Sequence, residues 1–191
     1  MKKVFIGTLF LINHIVSIMA IEHSPNTLIF NGAFGAGTFS AGEYDGGSVF
    51  LGGLISAEWI PNEKIGLSYG IESGLNGGKT QNNIILGIPI IFRVGWYPNF
   101  LKMENIDIFL FGKIGWAFGI WGSSLDKDST PNGIVAGINF GGRYYFTQWI
   151  GIYSELGYNY FGLARNSNYP EYPLGYGSGK IYASIGLSYK L

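Results

Sequence analysis

The sequence predicts an all-β fold in which eight antiparallel strands close into an up-and-down transmembrane β-barrel. Three observations support this prediction. Apolar residues alternate along eight segments, charged residues fall only on the opposite parity, and long polar connections alternate with shorter ones. A row of uncharged outward side chains on every strand suits hydrocarbon, and a sheet can cross a bilayer only when it closes on itself.

The strands are predicted at residues 27–39, 48–60, 64–75, 84–97, 106–120, 133–146, 150–163 and 180–191. The clearest alternation lies in the fourth, where every second residue from Leu86 to Trp96 is apolar and Arg93 falls between them. In the first strand the inward row is almost as apolar as the outward row, so its outward row is assigned from the neighbouring strands. The outward rows of the first four strands are Leu28, Phe30, Gly32, Phe34 and Ala36; Val49, Leu51, Gly53, Ile55, Ala57 and Trp59; Ile65, Leu67, Tyr69 and Ile71; and Leu86, Ile88, Ile90, Phe92, Val94 and Trp96.

The last four strands follow the same rule. Their outward rows are Ile108, Leu110, Gly112, Ile114, Trp116 and Phe118; Ile134, Ala136, Ile138, Phe140, Gly142 and Tyr144; Ile150, Ile152, Ser154, Leu156, Tyr158 and Tyr160; and Ile181, Ala183, Ile185, Leu187, Tyr189 and Leu191. All eight segments reach or exceed the ~9–11 residues that a tilted strand needs to cross a membrane.

The connections alternate in character along the chain. Residues 40–47, 76–83, 121–132 and 164–179 are rich in Gly, Asn, Ser, Asp and Pro, whereas 61–63 and 147–149 are tight turns. The remaining connection, 98–105, is longer than the other two turns. Outer-membrane barrels have long loops at the outer rim and short turns at the periplasmic rim, so both chain ends are predicted on the periplasmic side.

The N-terminus reads as a targeting segment. Lys2 and Lys3 precede a short apolar stretch at 4–12, which predicts a cleaved signal peptide over residues 1–20 and a barrel domain over 21–191. A retained helical anchor is the alternative. The chain has no cysteine, which excludes disulfides, thiolate metal sites and a lipidated cysteine. Without Lys2 and Lys3, 10 basic residues face 12 acidic ones, so no nucleic-acid partner is expected.

Charged residues on the inward parity form the main candidate site. Three acids and three bases fall on six successive strands: Glu58, Glu72, Arg93, Lys113, Arg143 and Glu155. The lumen of an eight-stranded barrel is just wide enough for side chains to fill it, so these groups are expected to pair in an ion network that plugs it. Six charges that are solvated individually are the alternative.

Aromatic side chains predict two girdles at the membrane interfaces, where amphipathic rings are favoured. The periplasmic girdle is predicted from Trp59, Trp96, Tyr144 and Tyr189, with Phe146 beside them; the outer girdle is predicted from Tyr69, Trp116 and Tyr158, with Phe118 and Tyr160. Ordinary packing in a β-sandwich is the alternative for these rings, but a sandwich would expose a polar second parity.

Taken together, the signal peptide, the eight alternating strands, the alternating loop lengths and the opposed lumen charges resemble the small outer-membrane barrels. This group includes the transmembrane domain of outer-membrane protein A, OmpX, and the opacity and OmpW-like proteins. The resemblance implies a monomer in the outer membrane of a Gram-negative-type cell, in contact with its lipid. It also implies recognition of the last strand by the barrel-assembly machinery, although the chain ends in Leu191 where Phe is usual.

The function predicted for such a barrel is a structural or surface-interaction role through its outer loops, with an unknown extracellular ligand and no cofactor. Tyr169, Tyr172 and Tyr176 in the last loop are candidate contact residues, and packing within the loop or nonspecific surface contact is the favoured interpretation of the same residues. The alternatives are a narrow channel or transporter for small or apolar solutes, and a soluble ligand carrier. No enzyme is expected: the two histidines are His14 and His23, so the barrel itself holds none for a Ser–His nucleophile.

Overall fold

The computed structural model of the chain is a single closed sheet of eight strands. They are β1 Thr27–Phe39, β2 Ser48–Asn62, β3 Leu67–Lys79, β4 Ile84–Trp96, β5 Ile106–Gly122, β6 Gly133–Tyr145, β7 Ile150–Leu163 and β8 Gly177–Lys190. Each strand pairs antiparallel with the next, and β8 pairs with β1. The predicted eight-stranded antiparallel barrel is therefore confirmed.

The structure describes residues 26–39, 48–62, 65–79, 84–98, 101, 103, 105–122, 133–163 and 177–191. The predicted signal peptide and the loop tyrosines Tyr169, Tyr172 and Tyr176 lie outside these ranges. Among the described residues, none belongs to a helix with the length and apolar character needed to cross a membrane.

Backbone hydrogen bonds close the barrel between its first and last strands. The Leu28 amide donates to the Leu191 carbonyl at 3.1 Å, and the Leu191 amide donates to the Leu28 carbonyl at 2.8 Å. This pair continues the β1–β8 ladder one residue beyond β8. The ladder therefore has no open edge between β8 and β1, as a bilayer requires of a sheet.

Side-chain exposure follows the predicted parity. On β1, Phe30 and Phe34 are exposed while Ile29 and Asn31 are buried, which confirms the outward row assigned from neighbouring strands. The same alternation runs through β6, where Ile138 is exposed beside the buried Asn139. An apolar exterior and a polar interior reverse the arrangement of a soluble barrel, so this exterior suits hydrocarbon.

The β2–β3 hairpin differs from its prediction at both ends of β3. The strand begins at Leu67 instead of residue 64, because Gly66 adopts a left-handed conformation (φ 68°) and its amide donates to the Asn62 carbonyl at 3.2 Å. It also continues past Leu75 to Lys79, through residues that the sequence placed in a loop. This Gly-rich segment pairs with β2 on one side and with β4 on the other, and this pairing provides partners for its backbone hydrogen-bonding groups.

The height of one girdle residue was predicted wrongly. Tyr69 was assigned to the outer girdle, yet it pairs directly with Trp59 of β2, close to the short turns. Trp96 pairs with Leu67 at the same rim. Because β3 begins only two residues before Tyr69, this ring lies on the exterior at the short-turn end, which was predicted to be the periplasmic one. Trp116 and Tyr158 lie further from the short turns, opposite Ile134 and Ile138.

Glycines allow close approach between β8 and β1. A Cβ atom on Gly186 would lie 2.0 Å from the Gly32 carbonyl oxygen and 2.4 Å from the Ala33 Cα, both of which are backbone atoms. A Cβ atom on Gly32 would meet nothing within 4 Å. The two glycines therefore allow a controlled comparison, because an added methyl group would clash with the backbone at Gly186 and would have free space at Gly32.

Gly186→Ala is expected to lower the free energy of unfolding by about 1–3 kcal/mol, because the methyl group forces the two strands apart. Gly32→Ala should cause no loss, since its methyl group points into open space. Urea titrations of both variants in lipid vesicles, followed by tryptophan fluorescence, check this result. Equal stability of the two variants would contradict the close approach.

Candidate functional site in the barrel lumen

The six charged residues predicted for the lumen lie inside the barrel. Each is at most 5% exposed, and they come from β2 to β7. Ion pairs bring them together in two groups. The Glu58 cluster contains Glu58 and Arg143, and the Glu155 cluster contains Glu72, Arg93, Lys113 and Glu155.

In the Glu58 cluster, each of the three nitrogens of Arg143 has a partner. One terminal nitrogen donates to Glu58 Oε2 at 2.6 Å, and Nε donates to Asn31 Oδ1 at 3.1 Å. The other terminal nitrogen donates to the Tyr97 hydroxyl, which in turn donates to Glu58 Oε1. The guanidinium on β6 is thus held by residues of β1 and β2 and by Tyr97, which directly follows β4. The planar set of donors in arginine allows these contacts in one fixed orientation.

In the Glu155 cluster, each base contacts both acids. Arg93 donates to Glu72 Oε2 at 2.7 Å and to Glu155 Oε2 at 3.0 Å. Lys113 Nζ lies 3.0 Å from Glu72 Oε2 and also contacts Glu155 Oε1. Two acids and two bases make a closed square without net charge. Such a square links β3, β4, β5 and β7 across the lumen.

Neutral polar side chains complete the Glu155 cluster. Asn139 Nδ2 donates to Glu155 Oε1 at 2.6 Å, and the Tyr153 hydroxyl donates to Oε2. The same hydroxyl accepts from Arg93 at 3.3 Å. The sequence interpretation missed Tyr97, Tyr153 and Asn139 because it followed charge alone. The signal for Tyr153 was its parity: it lies two residues before Glu155 and therefore on the same face.

Aromatic rings separate the two clusters. Phe109 and Phe111 of β5 lie 4.7 Å apart between ring centroids, and Phe109 stacks on Tyr153 at 5.8 Å. The Arg93 guanidinium carbon lies 3.9 Å from the Phe111 centroid, and that of Arg143 lies 4.6 Å from the Phe109 centroid. Each guanidinium therefore combines its ion pairs with a cation–π contact on this layer.

At this level of the lumen, few side chains are available to bind or react with a substrate. Buried ion pairs satisfy the charges, and the aromatic layer fills the space between them. Among the described residues, no group of three or more His, Cys, Asp or Glu side chains is placed to hold a metal ion. The clusters are suited to holding strands together and to obstructing the passage of ions.

The solved structures of similar fold include three outer-membrane proteins. Neisserial surface protein A is 15% identical over 86% of this chain and 97% of its own, with a TM-score of 0.64. The attachment invasion locus protein Ail of Yersinia pestis is 8% identical over 88% and 100%, with a TM-score of 0.55. OprG of Pseudomonas aeruginosa is 10% identical over 90% and 98%, with a TM-score of 0.51.

No family model and no curated protein matches the sequence. At these low identities, the likeness to solved structures concerns the fold, and it extends over nearly the full length of each barrel. The closed antiparallel ladder, the apolar exterior and the buried charges agree with it. The chain has the fold of the small eight-stranded outer-membrane β-barrels.

Proposed function

We propose that this protein is an integral outer-membrane barrel with a side-chain-filled lumen, and that it acts through its outer loops in a structural or surface-interaction role. The observation that carries the proposal is the pair of lumen clusters with the aromatic layer between them. A barrel obstructed in this way presents its loops and its outer rim to partners, with no pore through its centre.

The apolar exterior supports placement in a membrane, where lipid is the first partner. Export through a cleaved signal peptide, insertion by the barrel-assembly machinery and a monomeric state belong to the same proposal. The similar barrels include a surface protein and an attachment invasion protein, and the latter has been crystallised with the heparin analogue sucrose octasulfate. These similar structures favour a surface role for the loops; a role without catalysis and with an unidentified ligand is part of the proposal.

Planar-bilayer recordings test the closed lumen directly. The protein is expected to show no steady unitary currents after insertion, because the Glu155 cluster and the layer of Phe109 and Phe111 obstruct the ion path. Insertion is checked by the heat-dependent electrophoretic mobility of protein recovered from the same vesicles. Steady currents that change in Arg93→Ala or Lys113→Ala would instead support the alternative function, a narrow channel for small solutes.

A further inference from the structure

The ladder between β3 and β4 is interrupted near its middle. Ser73 pairs with Ile90 and Asn76 pairs with Gly87, but the two residues between them on each strand do not pair, although the structure describes all four. The register is the same on both sides of the interruption, so no extra residue causes it. By contrast, β6 and β7 pair at every position along their common length.

Pro89 accounts for the interruption. The Tyr97 amide donates to the Gly66 carbonyl at 2.7 Å, and alternate residues of β4 continue these bonds toward β3. Counted back along the same register, Pro89 lies opposite Gly74 at one of the bonded positions. A proline has no amide hydrogen to donate. Gly74 also has no side chain, so this position lacks both a backbone bond and the cross-strand packing that joins paired strands.

The other edge of β4 is irregular at nearly the same height. Gly87 pairs with Gly119 of β5, but the preceding residue, Leu86, pairs with Trp121, so β5 carries one extra residue between these pairs. Such a bulge leaves one residue unpaired and bends the strand. Residues 86–89 of β4 therefore have an irregular pairing at each edge, and the glycine among them adds backbone freedom.

The two sides of the interruption differ in how firmly β4 is held to β3. On the long-loop side only four pairs join the strands, from Asn76–Gly87 to Lys79–Ile84, and residues 76–78 read Asn-Gly-Gly, which has poor strand propensity. On the short-turn side, Glu72 accepts from Arg93 of β4 at 2.7 Å. This buried ion pair belongs to the Glu155 cluster, so separation of the strands is confined to the long-loop side.

We propose that the long-loop end of β4, residues 84–87, is a hinged segment that separates from β3 by bending at residues 88 and 89, while the rest of the barrel stays closed. Hinges are a few positions near the end of an element that absorb the change in backbone angles. The inference goes beyond the surface role proposed above, because it assigns a moving part to the wall of the barrel.

Hydrogen exchange of the full chain in lipid nanodiscs, followed residue by residue by NMR, tests the hinge. By the same alternation, the amides of Asn76 and Gly87 bond across the seam on the long-loop side, and those of Glu72 and Ile91 on the short-turn side. The Ala136 amide is the control, because Ala136 is as far from the long-loop end of β6 as Gly87 is from that of β4. Asn76 and Gly87 are expected to exchange about 10-fold faster than the other three.

Pro89→Val restores the missing amide hydrogen. It is expected to slow exchange at Asn76 and Gly87 about 10-fold and to leave Ala136 unchanged. Heat-dependent mobility shows that the variant is folded, and Pro89→Ala, which restores the same hydrogen, replaces it if it is not.

Three results would overturn the hinge. The first is equal exchange at Gly87 and Ala136 in the unmodified protein. The second is unchanged exchange at Gly87 in a folded Pro89 variant, because opening would then not depend on the proline. Both of these leave the closed lumen intact. The third is exchange at Glu72 and Ile91 as fast as at Gly87, which would also contradict the closed lumen, because the seam would then open along its whole length.

Discussion

Replacing Arg143 with methionine is expected to lower the free energy of unfolding by about 3–5 kcal/mol, because it leaves a buried carboxylate without its partner. Glu58 is almost fully buried, and its Oε2 lies 2.6 Å from Arg143. The substitution also removes the donors to Asn31 and Tyr97. Urea unfolding in lipid vesicles, followed by tryptophan fluorescence and electrophoretic mobility, measures the loss.

The matched control is the double variant Glu58→Gln/Arg143→Met, which removes both charges of the pair. It should recover more than half of the loss, since the introduced amide keeps an oxygen that can accept from Tyr97 and carries no uncompensated charge. Combining Arg143→Met with Glu72→Gln should recover nothing, because Glu72 belongs to the Glu155 cluster. Similar losses in the single variant and the Glu58 double variant would show that these charges are solvated separately.

The sequence predicted the barrel and its parity because the bilayer imposes the same demand on every strand. A single alternating segment is weak support for a membrane barrel. Few other folds are compatible with eight such segments whose charged residues all fall on one parity. The exposed Phe34 and the buried Glu58 follow from this rule. The same rule placed all six lumen charges in the interior without any knowledge of their partners.

The pairing of these charges could not be predicted, because it depends on how far each strand is staggered against its neighbours. Arg93 bonds to Glu155, which is 62 residues away, and Arg143 to Asn31, which is 112 residues away. No local pattern relates such positions. The error at Tyr69 also concerns position along the barrel: β3 begins at Leu67, three residues later than predicted, and its register places Tyr69 opposite Trp59 near the short turns.

The end of β3 shows why turn signals misled the prediction. Residues 76–78 read Asn-Gly-Gly, a composition typical of loops. In the barrel this segment pairs with Gly52 and Leu51 on one side and with Gly87 and Leu86 on the other. Hydrogen bonds on both edges outweigh the poor strand propensity of glycine, which is a tertiary effect.

Ile138→Arg is the second substitution with a large expected effect, a loss of about 2–4 kcal/mol in a lipid bilayer. Ile138 lies at the middle of β6, is 65% exposed and faces Gly112 and Tyr158 on the neighbouring strands. If this exterior meets hydrocarbon, a guanidinium at this depth must reach the headgroups or remain poorly solvated. Unfolding in lipid vesicles measures the loss.

Ile150→Arg provides the matched control, because Ile150 is also exposed but begins β7 beside the short turn at residues 146–149. At that rim an arginine can reach the headgroups, and the cost should fall to about 0–1 kcal/mol. A difference between the two sites reports the depth of hydrocarbon around the barrel. Equal costs at both sites, or a mature protein that stays folded and dissolved in buffer without detergent, would support a soluble ligand carrier instead.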